Sequence, residues 1–352
     1  MLTHDPELSI GVLAHNEEPR IRETLQTLFE QDAFQDFATE VIIVPNGCTD
    51  NTAAIARQLV NDYRAVWSNR GSAKVVELTA AGKANAWNRF VHELSSPRAS
   101  VIILMDADIA LLSTNTISSM VATLQNNPEA VVCVDRPIKD IAINADRALF
   151  QRLLLGATPE IDPDNVPLCG QLYCVRSEEL RLIKLPAEIT MEDGFIRGLL
   201  LTQGFTQPEN VGRIILESKA AHRFASVATL REVFKHEVWI VSGSIVNMLL
   251  FKRFSAECAP GLSAMNLMEK WQTKNPDWLR KCIQLEVKEG GWRLLPQSWW
   301  TRRWSRLRGL PLRQKLIRAP IAAAAAAMDI LVFLTAIRNV RLGRAFGYWG
   351  RA

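Results

Sequence analysis

Short apolar runs alternate with helix-like segments through the first third of the chain. Four runs are predicted to be buried strands, because a strand covered on both faces is a continuous run of apolar residues. They comprise residues 8–14, 41–44, 75–78 and 101–105. Residues 19–31 have the apolar spacing of a helix, and a second helix is predicted to follow Asp50, capped by Thr49 or Asp50. This alternation is typical of a doubly wound α/β layer.

The pattern changes after about residue 138. A Pro- and Asp-rich loop, residues 158–167, is too polar to be core, and it either contacts an acceptor or is plain surface. A strand-like run at 170–175 and a helix that begins near Glu192 follow. Two further apolar segments, 238–254 and 319–337, are predicted to be helices.

Charge and tryptophan content set the C-terminal region apart. The chain has a net charge of +4, but twelve basic residues and a single acid, Asp329, lie from Arg293 onward. That region therefore carries +11 and the preceding 292 residues carry −7. Five of the ten Trp also lie at or beyond Trp292. We therefore predict three regions: an α/β region at 1–225, a helical region at 226–292, and a basic, Trp-rich region at 293–352.

The basic region fits a membrane surface. Residues 292–318 contain eight basic residues, four Trp and no acid, which suits the headgroup layer of an anionic membrane. The nineteen residues 319–337 approach the length of a span, but Asp329 at mid-span would cost roughly 2.5–3.5 kcal/mol. A single spanning helix and a helix in the interface remain open. The alternative is a buried helix with a nucleic-acid-binding arm, but no nucleic-acid motif is present, and we expect no such partner.

The cysteines and the N-terminus favour the cytoplasm. Six Cys show neither a C-x-x-C pair nor metal-ligand spacing. Residues 1–7 carry acids and no apolar run, so no signal peptide is expected. Together with the basic region, this predicts the cytoplasmic face of the cell (inner) membrane.

Two carboxylates, Asp106 and Asp108, directly follow the run at 101–105. Ligands in open α/β sheets bind beyond the carboxyl ends of strands. Two acids at that edge repel each other unless a cation neutralises them, and Mg²⁺ or Mn²⁺ favours oxygen ligands. Such an ion would hold a nucleotide diphosphate. The alternative is a helix N-cap beside a solvated acid.

Other polar segments lie at equivalent places, where a strand ends or a helix begins. In chain order they are Ala14-His15-Asn16-Glu17-Glu18, Asn46-Gly47-Cys48-Thr49-Asp50-Asn51-Thr52, Gly82-Lys83-Ala84-Asn85-Ala86-Trp87-Asn88 and Asp106-Ala107-Asp108, with Glu192-Asp193 later. Polar groups that converge on one sheet edge are what a nucleotide site requires.

This ordered set resembles family 2 glycosyltransferases, which have the GT-A fold, a Rossmann-like and mostly parallel sheet between helices. The resemblance covers roughly residues 8–225. In one departure, Pro45 stands where the family often has Asp, a residue that can hydrogen-bond the nucleobase. Asn46 offers a donor and an acceptor instead, so uracil and guanine both remain open.

The resemblance implies a role for each matching residue. Nucleotide-sugar contacts are expected from Ala14, Asn16, Glu17, Asn46, Asp50, Lys83, Asp106 and Arg223; ligands of Mn²⁺ or Mg²⁺ from Asp106, Asp108 and His222; and catalysis from Asp193 with Glu192. Asp193 is the expected general base of an inverting transfer, because a carboxylate must take the acceptor hydroxyl's proton. Capping roles for Glu17, Asn46 and Asp193, a solvated Lys83 and a structural His222 are the alternatives.

The sequence therefore predicts a metal-dependent, membrane-associated glycosyltransferase. Its donor would be a UDP- or GDP-sugar, and its acceptor a saccharide or a lipid-linked acceptor of cell-surface polysaccharide or glycolipid synthesis. A sugar-phosphate nucleotidyltransferase is the alternative enzyme, although the segment at Ala14–Glu18 lacks the Gly-rich basic loop usual there. A non-catalytic sugar-nucleotide- or membrane-binding module is the third possibility.

Overall fold

The computed structural model of the chain describes residues 7–64, 67, 70–140, 161–162, 164–226, 229–290 and 294–346. Residues 158–160 and 163 of the Pro/Asp-rich loop lie outside the described residues, as do Trp292, Arg293 and 347–352 of the basic region.

The chain divides into two compact units. Unit 1 comprises residues 1–187, 192–226 and 259–266, and unit 2 comprises 188–191, 227–258 and 267–352. Unit 2 contains residues of both predicted regions beyond residue 225, namely 226–292 and 293–352. The division into three regions stays a prediction.

Unit 1 is built on one mixed sheet. Its strands are β1 Leu8–Ala14, β2 Thr39–Pro45, β3 Gly71–Val75, β4 Val101–Asp106, β5 Ile109–Leu111, β6 Val132–Lys139, β7 Leu172–Arg176 and β8 Ile214–Phe224. In the described residues they lie in the order β3-β2-β1-β4-β7-β6-β8-β5. The β3-β2-β1-β4 half is parallel, whereas β7 is antiparallel to both β4 and β6. The predicted α/β fold is confirmed.

Helices flank this sheet. They are α1 Ile21–Phe29, α2 Ala33–Asp36, α3 Thr52–Tyr63, α4 Lys83–Arg89, α5 Thr116–Asn126, α6 Ser177–Leu180 and α7 Glu192–Leu201; a π-helical turn spans Phe90–Leu94 and a 3₁₀ turn Val211–Arg213. The central strands are buried on both faces: every residue of β1, and Val101–Met105 of β4, has almost no exposed surface. Because both faces of these strands are covered, each of them is a continuous run of apolar residues in the sequence.

Two local predictions need correction. The third strand is Gly71–Val75, not residues 75–78, and Leu78 makes only an isolated bridge with Asn46. The third strand was placed wrongly because β3 lies at the edge of the sheet, where its residues are half-buried or exposed and do not form an apolar run. The N-cap of α3 is Asn51, although the Asp50 carboxylate still accepts the Thr52 N–H, at 3.1 Å.

Unit 2 is helical in its described residues. The helices are α8 Leu230–Glu257, α9 Ala264–Lys274 (from residue 267 onward), α10 Trp278–Gly290, α11 Gln297–Ser305 and α12 Leu312–Arg341. Helix α8 begins with a capping box between Thr229 and Glu232, and it packs against α10 and α12. Among the described residues, only α12 is long and apolar enough to cross a membrane, which by itself is weak evidence of a span.

Candidate functional site

Register brings the predicted residues to one edge of the sheet. Ala14 at the end of β1 pairs with Pro45 at the end of β2, and Leu13 pairs with Asp106 at the end of β4. The three carboxyl ends are therefore adjacent, and the polar segments that follow them emerge together. The start of α4, with Lys83, and the start of α7, with Glu192, reach the same edge, because Lys83 contacts both Asp106 and Glu192.

The turns after β1 and β2 are tied to each other. Asn16 has a left-handed backbone, with φ of 54°, and its Oδ1 accepts the Thr49 N–H at 2.8 Å. The Nδ1 atom of His15 lies 2.7 Å from the Asn46 carbonyl oxygen. These bonds fix both turns while leaving the side chain of Asn46 unused.

The side chain of Asn46 is fully buried, yet neither Oδ1 nor Nδ2 has a hydrogen-bond partner in the described structure. An unsatisfied buried amide costs free energy, roughly 1–3 kcal/mol per group. A polar ligand with one donor and one acceptor would satisfy both groups.

A buried ion cluster lies beside these turns. Lys83 Nζ is 2.9 Å from the Asp106 carboxylate and 2.8 Å from Glu192 Oε1. Glu192 is 7% exposed, and the side chains of Lys83 and Asp106 are 21% and 18% exposed. Lys83 is therefore not a solvated helix lysine, and its contact with a nucleotide sugar stays a prediction.

Burial dominates the electrostatics of the two aspartates. It raises the pKa of Asp106 to about 7; the Lys83 ammonium opposes this rise and Asp108 adds to it. It also raises the pKa of Asp193 to about 6, and the neighbouring Glu192 carboxylate adds to the effect. For Lys83, burial lowers the pKa, but Asp106 and Glu192 outweigh it and hold the pKa well above its usual value. The edge therefore holds excess negative charge in a partly desolvated place.

Asp193 faces a small pocket in this edge. The pocket is lined by Leu13, Lys83, Trp87, Leu104, Met105, Asp106, Gly170, Tyr173, Glu192 and Asp193. Asp193 Oδ1 accepts the Gly194 N–H at 2.7 Å, which steadies the carboxylate at the start of α7. A Cβ on residue 170 would lie 3.0 Å from the Asp193 Cβ, so glycine there leaves room for the aspartate.

Asp108 is half-buried, two residues beyond Asp106. In the described part of the chain, no group of three or more His, Cys, Asp or Glu side chains is arranged to hold a metal ion. A cation at this edge would thus need oxygen ligands beyond the protein's carboxylates.

His222 lies in β8 and is fully buried. Its Nδ1 is 2.8 Å from Asp135 Oδ2, and its Nε2 is 3.2 Å from Gln171 Oε1. The Gln171 carbonyl in turn accepts the Asp106 N–H at 2.8 Å. His222 is therefore linked to the edge through Gln171, while both ring nitrogens face protein groups; its metal role stays a prediction.

Three other predicted residues have protein partners. Arg223 forms a surface ion pair with Glu23. Burial raises the pKa of Asp50, but hydrogen bonds from Thr52 and from the Glu18 N–H outweigh it, and the net shift is downward. The Glu17 carboxylate lies 3.6 Å from Arg20. Nucleotide contacts by these residues stay predictions.

The structure also adds residues that the sequence did not indicate. The Trp87 indole N–H donates to the Tyr173 hydroxyl at 2.7 Å, and both side chains are buried and line the pocket. Asp135 and Gln171 contact His222, as described above. Trp87 lies inside the polar Gly82–Asn88 segment, so the sequence pointed to its neighbourhood. Tyr173 and Asp135 lie within strands, and no sequence motif marks them as site residues.

Comparisons with known proteins bear on this geometry. Residues 9–175 match the family model described as Glycosyl transferase family 2. No curated protein is similar enough to the chain to count as a match.

Solved structures give a second comparison. The mannosyltransferase PcManGT from Pyrobaculum calidifontis, in complex with GDP-Man and Mn²⁺, has a TM-score of 0.57 at 17% identity, over 97% of this chain and 88% of that one. This likeness shows a shared fold. TarS 1–349 from S. aureus in complex with UDP gives a TM-score of 0.47 at 18% identity, over 96% and 92% of the two chains. The sequence motifs, the family match and the fold agree: residues 9–175 match family 2 glycosyltransferases, and the chain has the GT-A fold.

Proposed function

We propose that this enzyme transfers a sugar from a nucleotide-sugar donor, with inversion, at the carboxyl edge of β1, β2 and β4. The observation that carries the proposal is the buried cluster of Lys83, Asp106 and Glu192, with Asp193 in the same pocket. Such a cluster combines a cation for a diphosphate, carboxylates for a metal and a carboxylate with a raised pKa for proton transfer.

The nucleobase subsite would be formed around Asn46. Its buried amide has one donor group and one acceptor atom without partners, and a pyrimidine or purine edge offers the complement of each. Either UDP or GDP as the leaving group meets this requirement. The mannosyltransferase of similar fold was solved with GDP-Man and Mn²⁺, and we propose ligands of that class here on the chemistry of this chain's own residues.

Asp106 and Asp108 would hold Mn²⁺ or Mg²⁺. Mg²⁺ is commonly bound by one or two carboxylates together with substrate phosphates, so the donor diphosphate would complete the ligand set. The fit rests on Asp106, whose pKa is raised chiefly by burial and further by the nearby Asp108 and Glu192 carboxylates, and a cation would stabilise its ionised form. When bound, the ion supplies positive charge to the departing nucleoside diphosphate.

Asp193 would act as general base. Its carboxylate takes the proton of the acceptor hydroxyl while the acceptor oxygen bonds to the sugar carbon and the bond from that carbon to the diphosphate oxygen breaks. A pKa of about 6 suits this task, because the group is ionised at neutral pH and is still basic enough to accept the proton. Lys83 would keep Glu192 and Asp106 in place and offer charge to the diphosphate.

The acceptor would be a saccharide or a lipid-linked acceptor at the cytoplasmic face of the inner membrane, in cell-surface polysaccharide or glycolipid synthesis. Support comes from the basic residues between 294 and 318 and from the apolar helix α12.

A thermal-shift screen tests the donor proposal. Wild type is mixed with UDP, GDP, ADP and CDP, each with Mn²⁺ or with EDTA, and an Asn46→Ala variant serves as comparison. We expect UDP or GDP to raise Tm only with metal, and we expect the variant to lose that gain. Stabilisation by none of the four nucleotides, or by all of them equally in both proteins, would contradict the proposed base subsite.

A further inference from the structure

Protein covers only the C-terminal part of α12. Val332, Phe333, Ala336, Ile337 and Val340 are buried within unit 2. No residue from 312 to 328 is buried. The C-terminal half of α12 is thus covered on one face, while Ile330, Leu331 and Leu334 on its other face are 46–58% exposed, and the N-terminal half is not buried on any face.

The open half combines apolar side chains with cations. Leu312, Leu316, Ile317 and Ile321 are between 59% and 73% exposed, and Arg313, Lys315 and Arg318 lie among them. From residue 294 to 328 there are seven basic residues and no acid. Exposed apolar groups beside basic ones match the boundary between anionic headgroups and acyl chains.

Helix α11 is fixed beside the midpoint of α12. Arg302 and Arg303 both pair with the buried Asp329 carboxylate, at 2.7–3.0 Å. The rings of Trp300 and Phe333 are 5.1 Å apart. Trp304 of α11 remains 46% exposed. These ion pairs join the two helices into one layer. They also neutralise the charge of Asp329, which the sequence alone showed as an isolated acid in an apolar helix.

These contacts leave too little helix for a span. Ten residues lie between Arg318 and Asp329, which corresponds to about 15 Å of helix, half of the roughly 30 Å hydrocarbon core. A longer segment would take the Arg302–Arg303–Asp329 cluster into lipid, together with the protein-covered side chains of Val332, Phe333, Ala336, Ile337 and Val340. Pro320, inside this stretch, also removes one helix hydrogen bond.

We propose that α11 and residues 312–328 of α12 lie within one leaflet of an anionic bilayer, parallel to its plane, and that α12 does not span it. This inference rests on the membrane association proposed above and specifies its geometry. The partner is a lipid surface with anionic headgroups.

Vesicle flotation of the purified full-length protein tests this. Vesicles of phosphatidylcholine alone are compared with vesicles that also contain phosphatidylglycerol, at low salt and at about 1 M salt. We expect flotation only with anionic vesicles, and release at high salt. Two variants, Leu316→Ser/Ile317→Ser and Arg313→Gln/Lys315→Gln/Arg318→Gln, should each reduce the bound fraction about tenfold or more.

Matched controls exclude a general effect of surface change. Leu182→Ser removes a leucine of unit 1 that is 69% exposed, and Lys74→Gln/Lys219→Gln/Lys270→Gln removes three exposed charges elsewhere. Both controls should float like wild type. Melting curves with UDP or GDP and Mn²⁺ should be the same for all variants, so a failure of donor binding is seen separately.

Each other outcome overturns the proposal. Binding that resists both high salt and alkaline carbonate, and yields only to detergent, would mean that α12 spans the bilayer. No flotation with any vesicle would remove the membrane surface as partner and leave sugar transfer untouched. Loss of vesicle binding through self-association, measured by sedimentation without lipid, would assign the apolar face to a second copy of the chain.

Discussion

Replacing Lys83 by Met should destabilise the protein and should do so more at high pH. The change removes the ammonium that lies 2.8–2.9 Å from two carboxylates and keeps a side chain of similar length. Removing one partner of a buried ion pair costs about 3–5 kcal/mol. Because the Lys83 side chain is 21% exposed, we expect the lower end, about 3 kcal/mol, or a decrease in Tm of about 6 °C at roughly 2 °C per kcal/mol.

The pH dependence follows from Asp106. Its pKa in the folded protein is about 7, above the ordinary value of 3.8, so ionising it costs stability as pH rises between these values. The Lys83 ammonium limits that cost, and without it the pKa of Asp106 rises further. The stability difference between wild type and variant should therefore be larger at about pH 8 than at about pH 5.5.

Thermal unfolding at both pH values measures this, with Lys74→Met, on the edge strand β3, as control. The control should stay within about 0.5 kcal/mol of wild type. Adding Mn²⁺ should restore more stability to Lys83→Met than to wild type, since a cation would replace the lost charge. Equal destabilisation at both pH values, or none at pH 8, would refute the electrostatic account of the cluster.

Three other changes test separate parts of the site. Asp108→Ala should abolish Mn²⁺-dependent binding of UDP or GDP in isothermal titration, and unchanged affinity would remove Asp108 from the metal site. Gly170→Ala would place a Cβ 3.0 Å from the Asp193 Cβ, so turnover should fall while donor affinity is kept; equal kinetics would show that the carboxylate's position is not critical. Trp87→Phe leaves the buried Tyr173 hydroxyl without its donor and should cost about 1–3 kcal/mol in urea unfolding; no loss would show that another group replaces it.

The sequence was sufficient for the parts of the fold that depend on local pattern. Strands β1, β2 and β4 are covered on both faces, and their apolar runs marked their position within a few residues. Strand β3 lies at the edge of the sheet, is half-exposed and has no such run, so its predicted position was wrong. A continuous apolar run predicts a strand that is buried on both faces. It does not predict a strand with one face exposed to solvent, because such a strand lacks the run.

The site was predictable as a set of segments but not as a set of contacts. Residues that follow adjacent parallel strands must meet, which is why Asn46 and Asp106 were expected at one edge. The ion pair between Lys83 and Glu192 joins residues far apart in sequence, and only the packing of α4 and α7 creates it. The ion pairs of Asp329 also depend on packing. The sequence shows one acid in an apolar helix but does not indicate that Arg302 and Arg303 lie beside it.

The pH dependence of sugar transfer by wild type and Asp193→Asn tests the central claim most directly. Release of UDP or GDP is followed with Mn²⁺, a nucleotide sugar that stabilises the protein, and a lipid extract as acceptor. Since the pKa of Asp193 is raised to about 6 and the base must be ionised, the wild-type rate should be constant above this pH and fall about tenfold per unit below it. Asp193→Asn should be about 100-fold slower or more, with donor affinity unchanged. Near-normal turnover by Asp193→Asn would contradict the account.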